Sequence, residues 1–387
     1  MFHFVLMRSH FMEGGDKMLI GLCMWLLMTA TSVDSLPSLE EYDFSEIQSF
    51  LEEELPDTKL NFAEIVTELM SGDSESIVST GLEWGYQLLF SEIEANRTIL
   101  LNVILIAVIG AVFTNFSSVF RNSDISETGF FITYLLMIGL LAVAFSAAIS
   151  IATVMLDTIL GFMKVLLPTF FLAVTFVGGN LTSAAFYETA FGIISIMEWV
   201  LKNIVIPMIG MYITLLFVNQ ISEKDYLSKT AELLKLIVEW GIKTILGVVL
   251  GIQVIQGLVL PFADAIKTNA IQKAVKIIPG VGDSASAISQ MVIGGGILIK
   301  NGIGTAALIV IVVITVIPLL QLAVITVFYY IAAAIIQPIS DERMSNSIAA
   351  VAEGSKLLIR VVFVSGFLFF ITIVVVCQTT NLSYLGG

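Results

Sequence analysis

Residues 303–325 read IGTAALIVIVVITVIPLLQLAVI, an apolar run without a single charged residue. As a helix it is long enough to cross a hydrocarbon layer of about 30 Å, which takes roughly 20 apolar residues. Residues 99–120, about 129–151, 195–218, 241–262 and 359–377 read the same way. The whole chain agrees. Of its 387 residues 57% are hydrophobic and only 13% charged, and the mean hydropathy is +0.96. Soluble domains carry about 25% charged residues, so this chain lacks the polar surface to cover a water-exposed globule. The predicted fold class is all-α: a polytopic helical membrane protein.

Two further apolar stretches, 159–190 and 279–299, are interrupted by proline and glycine and read as re-entrant segments. They are LPTFFLAVTFVGGNLTSAAFYE (167–188) and IIPGVGDSASAISQMVIGGGILIK (277–300). Irregular backbone at membrane depth is tolerated only where protein or a water-filled cavity surrounds it. Their residues Pro168, Gly178, Gly179, Asn180, Glu188, Pro279, Gly280, Gly282, Asp283, Gly294, Gly295, Gly296 and Lys300 are therefore the candidates for a pore lining, or else for close packing through small residues.

The two stretches head similar halves. Pro168, Gly178-Gly179-Asn180, a helix containing Pro207 and Gln220-Ile221-Ser222-Glu223-Lys224 are followed by an amphipathic segment and a span. Pro279, Gly294-Gly295-Gly296, a helix containing Pro318 and Gln337-Pro338-Ile339-Ser340-Asp341-Glu342-Arg343 are followed by the same. The interval from first to second proline is 39 residues in both halves, which indicates an internal duplication. The predicted organisation is a signal segment at 1–32, an acidic head at 33–97, two transmembrane helices at 98–158, membrane repeats at 159–262 and 263–380, and a tail at 381–387. Lys224, Lys229, Lys235 and Lys243 in one amphipathic segment and Arg343, Lys356 and Arg360 in the other form a candidate cytoplasmic partner face under the positive-inside tendency. Six spans and parallel repeats place both segments inside, but leave Lys267, Lys273 and Lys276 outside. Eight full crossings would invert the halves, a design common in transporters.

The net charge of −14 is concentrated in one place. Between Asp34 and Ala95 sixteen Asp and Glu face one basic residue, Lys59, and the remainder of the chain carries only +1. No net basic patch exists for nucleic acid. Ahead of the head, Lys17 and the short apolar run MLIGLCMWLLMTATS read as a signal peptide cleaved after Ser32, and Glu13 and Asp16 leave Met12 or Met18 open as starts. Within the head, Ser45 to Gln48 and Asn61 to Glu64 have capping-box spacing, Gly72 is a helix stop, and apolar residues recur at helical intervals. The carboxylates form either a solvated face or an acidic docking surface.

Scarce residue types exclude chemistry. His3 and His10 both precede the first apolar run, and Cys23 and Cys377 lie in the first and last, so after cleavage of the signal no histidine base or disulfide framework is available, and no thiolate cluster can hold a metal. Gly280-Val281-Gly282 lacks the ending of a phosphate loop. No catalytic, cofactor-binding or metal-binding residues are assigned, and no cofactor is expected. Glu198 and Lys202, four apart on one helical face, predict an internal ion pair. Gln253 and Gln256 either line a cavity or hydrogen-bond between helices.

The cleaved signal, the acidic head, the two glycine-bearing stretches, extended as KIIPGVGDSASAISQMVIGGGILIKNGIG, and the segment AAAIIQPISDERMSNSI together resemble stage III sporulation protein AE. The likeness covers roughly residues 60–377. It implies a multi-pass protein of the mother-cell membrane around the forespore. There it would join other stage III A proteins, among them a secretion-type ATPase and ring-forming proteins, and meet stage II sporulation protein Q in a channel or feeding-tube complex. It assigns no catalytic residues. The alternative from the residues alone is a stand-alone secondary transporter or permease.

Overall fold

The computed structural model describes residues 42–58, 60–71, 123–176, 181–221, 225–275 and 282–382, with single positions between 94 and 108. The signal segment, most of the span at 99–120, Gly72 and the tail beyond Leu382 lie outside the described residues. In chain order the helices are α1 (Ser45–Glu54), α2 (Phe62–Ser71), α3 (Ser123–Phe176), α4 (Leu181–Val200), α5 (Ile206–Ile221), α6 (Ser228–Val275), α7 (Gly282–Ile336) and α8 (Glu342–Leu382). A π turn, Leu201–Val205, joins α4 to α5. Among the described residues there is no strand, and four helical segments are long and apolar enough to cross a membrane: Phe130–Val174, Phe191–Ile221, Gly296–Ile336 and Glu342–Cys377.

The helices are longer than the spans read from sequence. α3 has 54 residues and α7 has 55, about 80 Å each at 1.5 Å per residue. The backbone passes unbroken through residues 158 and 159, where the first pair of spans was expected to end. Residues 282–300 are likewise helical and continue directly into 303–325, so from Gly282 onward the second stretch does not fold back. The reason is physical. An apolar surrounding offers no water to a freed N–H or C=O, so a glycine-rich segment satisfies itself best by remaining helical, and neighbouring helices make interior Pro168 and Pro318 tolerable. Pro207 is handled differently. It follows the π turn at once, and the wider turn gives room to a residue that lacks an N–H and crowds the carbonyl four residues earlier.

Side-chain pairs fix the directions. Tyr134 donates a hydrogen bond to the Phe217 carbonyl (2.9 Å) and is bonded to Ser347 Oγ (2.8 Å), while Lys202 reaches Asp157. α3 therefore runs antiparallel to α5 and parallel to α8. Ser345 donates to the Ala333 carbonyl at one end of the α7/α8 hairpin, and Lys300 donates to the Cys377 carbonyl at the other. One end of the bundle thus gathers the start of α3 with the α5/α6 and α7/α8 turns. α8 is the central helix, packed against α3, α4, α5, α6 and α7, and it is the most buried of the four candidate spans. Two of its glycines allow this closeness. A Cβ on Gly354 would stand 2.6 Å from Ile213 and Phe145, and one on Gly366 would collide with Thr315.

The acidic head is an amphipathic pair laid against the bundle. Ile47 and Leu51 of α1 and Phe62, Val66, Leu69 and Met70 of α2 are buried in the same core as the long helices, while Glu46, Glu52, Glu53 and Glu64 stay exposed. The Phe50 and Phe162 rings meet at a tilt, 6.1 Å between centres, and Thr158 donates to Glu54 Oε2. Thr158 lies 24 residues from Tyr134 along α3, about 36 Å, so the head sits toward the end opposite the basic turns. Asn61 caps α2 through its side chain, accepting from the Glu64 N–H as expected. The Ser45 to Gln48 capping box does not form. Phe44 occupies the N-cap position without a side-chain bond, and Asp43 accepts from the Ser45 N–H. Gln48 is engaged farther along the chain, where it accepts from the Phe62 N–H and donates to the Leu60 carbonyl, tying α1 to α2.

Candidate functional site

The feature that concentrates chemistry is a seam of polar contacts along α8, set among apolar helices. From its start these are Ser347 with Tyr134, Glu353 with Lys235 and Tyr330, Arg360 with Glu239, Ser365 with Glu198, Thr372 with Gln253, and the Cys377 carbonyl with Lys300. Polar groups inside a membrane bundle are costly unless paired, and they mark the places where helices are registered or cargo passes.

The seam exists because α6 is amphipathic in an unusual sense. Its apolar residues Leu233, Leu236, Ile237 and Trp240 point outward, whereas Lys235 and Glu239, one turn apart, point inward to α8. Lys235 Nζ lies 2.7 Å from Glu353 Oε2, and Arg360 Nη1 lies 2.6 Å from Glu239 Oε1. With Gln253 and Thr372, the partners are separated by 118, 121 and 119 residues. A near-constant difference means that α6 and α8 run side by side in the same direction, so Tyr226 and Met344 stand at one end of the bundle.

The proposed partner-face residues divide. Lys229 is exposed and pairs with Glu232 at 2.9 Å, a hydrogen bond that raises its pKa; Lys356 is exposed as well. Lys235 is committed to Glu353, and Arg343 pairs with Asp341 and lies 3.7 Å over the Phe130 ring. Lys224 lies outside the described residues. Beside these, Asp225 clamps the turn into α6: it accepts from Ser228 and Asn219, and the Ser228 bond holds its carboxyl below the usual range.

The candidates from the glycine-bearing stretches are dispersed. Pro168 is exposed on α3. Gly178, Gly179, Asn180, Pro279 and Gly280 lie outside the described residues. Glu188 is helical in α4, and Gly282, Asp283, Gly294, Gly295 and Gly296 are helical in α7, Gly296 being buried. Lys300 is wholly buried, its ammonium on the Cys377 carbonyl at 3.2 Å. The Glu198–Lys202 ion pair does not form. Lys202 grips both oxygens of Asp157 at 2.6 and 2.7 Å, and Glu198 turns to Ser365. The π turn beginning at Leu201 changes the angular spacing after Glu198, so a separation of four no longer keeps two side chains on one face. Gln253 bonds between helices, to Thr372.

Sequence reading missed Ser365, Thr372, Glu353 and Tyr330. A signal was present: the two turn segments begin at Gln220 and Gln337, 117 residues apart, close to the separation of the paired residues. A second feature is a cleft of about 430 Å³ between Glu54 and Leu55 of the head, Met155 and Thr158 of α3, and Pro318 and Gln321 of α7. No group of three or more potential metal ligands occurs among the described residues.

Long apolar helices, outward apolar faces and an inward polar seam define an all-α polytopic membrane protein. More narrowly, the chain belongs to the stage III sporulation protein AE family, whose model matches residues 60–380. It is 23% identical over 319 residues to the stage III sporulation protein AE of Bacillus subtilis (strain 168), covering 82% of this chain and 80% of that one. No solved structure matches it. The family places the protein in sporulation.

Proposed function

We propose that the chain is a non-enzymatic membrane subunit of a channel complex joining the mother cell to the forespore, seated in the mother-cell membrane around the forespore. It assembles there with other stage III A proteins and, through its head, with stage II sporulation protein Q. The observation that carries this reading is the head itself. Its apolar face is used up against α3 and α7, and its carboxylates Glu46, Glu52, Glu53 and Glu64 are displayed outward at the end opposite the basic turns. An amphipathic pair anchored in this way presents charge to a partner while its own position is fixed by burial. The basic turns, by the positive-inside tendency, face the cytoplasm, where Lys229 and Lys356 remain available to cytoplasmic subunits.

Reversing Glu46, Glu52, Glu53 and Glu64 to lysine tests this without uncovering the apolar face that a deletion would expose. The variant should insert normally in the membrane, lose co-purification with its extracytoplasmic partners and block spore development. Retained co-purification would refute the docking role. Solute uptake by the purified protein alone in liposomes would instead support the transporter reading.

A further inference from the structure

Among the described residues, the carboxyl of Glu198 is a buried acid whose surroundings leave it incomplete. The residue is 4% exposed, packed between α4, α8 and α3. One oxygen, Oε1, accepts from Ser365 Oγ; the other, Oε2, is buried without a hydrogen-bond partner, and so is the hydroxyl of Ser195 three residues earlier on the same helix. The charged groups beside it are Asp157 of α3 and Lys202 of the π turn, which are satisfied by each other. α8 presents only the neutral Ser365. Lys202, the cation of the adjoining turn, is thus engaged elsewhere, and a buried carboxylate without a counter-charge or a full set of donors is strongly disfavoured. A proton on Oε2 neutralises the buried charge and removes that cost. The local backbone is also suited to movement, since a π turn followed by proline is a common feature of functional helices. The Asp157–Lys202 pair is more than one-third exposed on both sides, so polar groups reach the bundle surface at this end of α4.

We propose that Glu198, with Ser365 and Ser195, forms an intramembrane proton-binding site that exchanges with water past the Asp157–Lys202 pair. Uptake converts the carboxylate and one proton from water into the neutral acid; release reverses it, and Ser365 supports the anion. Occupation of the site changes the contact between α4 and the central helix, where the titratable group sits. The site stands whether or not the chain lines a channel.

Infrared difference spectra of the full-length protein reconstituted in phospholipid vesicles, taken across a pH series, read the site directly. A protonated carboxylic acid band should grow as pH falls, disappear in Glu198→Gln, and move to higher frequency in Ser365→Ala, where the carbonyl loses a hydrogen bond. Asp157→Asn with Lys202→Met should slow its exchange with deuterium. Should Glu198→Gln fail to fold, Glu198→Asp keeps the acid and should displace the band. A band unchanged in Glu198→Gln, or displaced in neither variant, overturns the assignment. A Glu198 band of constant amplitude at every pH overturns proton exchange, and a titration that follows sodium concentration at constant ionic strength overturns the proton in favour of a metal cation.

Discussion

Lys235 of α6 and Glu353 of α8 meet at 2.7 Å between two helices that run the same way, and Glu353 is held from its other side by Tyr330 of α7. This charge pair thus fixes the register of α6 against α8. Removing one partner leaves the others poorly satisfied. Glu353→Ala should destabilise the protein in detergent by about 1–3 kcal/mol, and Lys235→Met with Glu353→Leu should recover much of that loss. A double-mutant cycle from thermal unfolding measures the coupling, and additivity would show that the pair does not set register.

Parallel packing of α6 and α8 requires Tyr226 and Met344 to share one end of the bundle. In a variant with Cys23→Ser and Cys377→Ser, single cysteines at the exposed positions Tyr226 and Glu342, two residues before the buried Met344, should react with a membrane-impermeant thiol reagent from the same side only. Labelling from opposite sides would contradict the register of the three α6/α8 pairs.

Gly354 permits the close approach of α8 to Ile213 and Phe145. Gly354→Val should cost about 1–3 kcal/mol through overpacking, with partial rescue by Ile213→Ala. Loss of melting temperature in the single variant and its recovery in the double check both parts.

Head docking depends on aromatic burial. Phe50→Ala, which removes the ring beside Phe162 and Gly161, should weaken docking by about 2 kcal/mol, seen as faster proteolysis of the head with the long helices still protected. An unchanged cleavage rate would mean that α2 holds the head unaided.

Asp225 gives the turn into α6 a defined pH response. Its carboxyl is held below the ordinary value by Ser228 and Asn219, so the contribution is complete above the unfolded aspartate value of about 4. It is lost as pH falls through the lower, folded value. Protection of the Tyr226 and Ser228 amides, taken relative to their intrinsic exchange rates, should therefore fall on acidification below pH about 4, and in Asp225→Asn it should be reduced already at neutral pH.

Much of this was legible in the chain itself. Runs such as 303–325 point to an all-α membrane fold, since an unbroken apolar run of this length satisfies its backbone in lipid as a helix, whereas barrel strands are shorter and alternate apolar with polar residues. Periodicity marked the head helices, and the turn segments at Gln220 and Gln337 marked the ends of α5 and α7. What the sequence could not supply was which polar group meets which. Hydropathy records the cost of a buried charge but not its partner, so Glu198 was matched to the nearest lysine along the helix. A π turn and a neighbouring helix gave that lysine to Asp157 and gave Glu198 to Ser365. Helix lengths were decided in the same way: proline and glycine read locally as breaks, but in apolar surroundings the unbroken helix is the state that leaves the fewest backbone groups unpaired. Such partner choices depend on contacts between residues 45 and 167 positions apart, which only the packed bundle fixes.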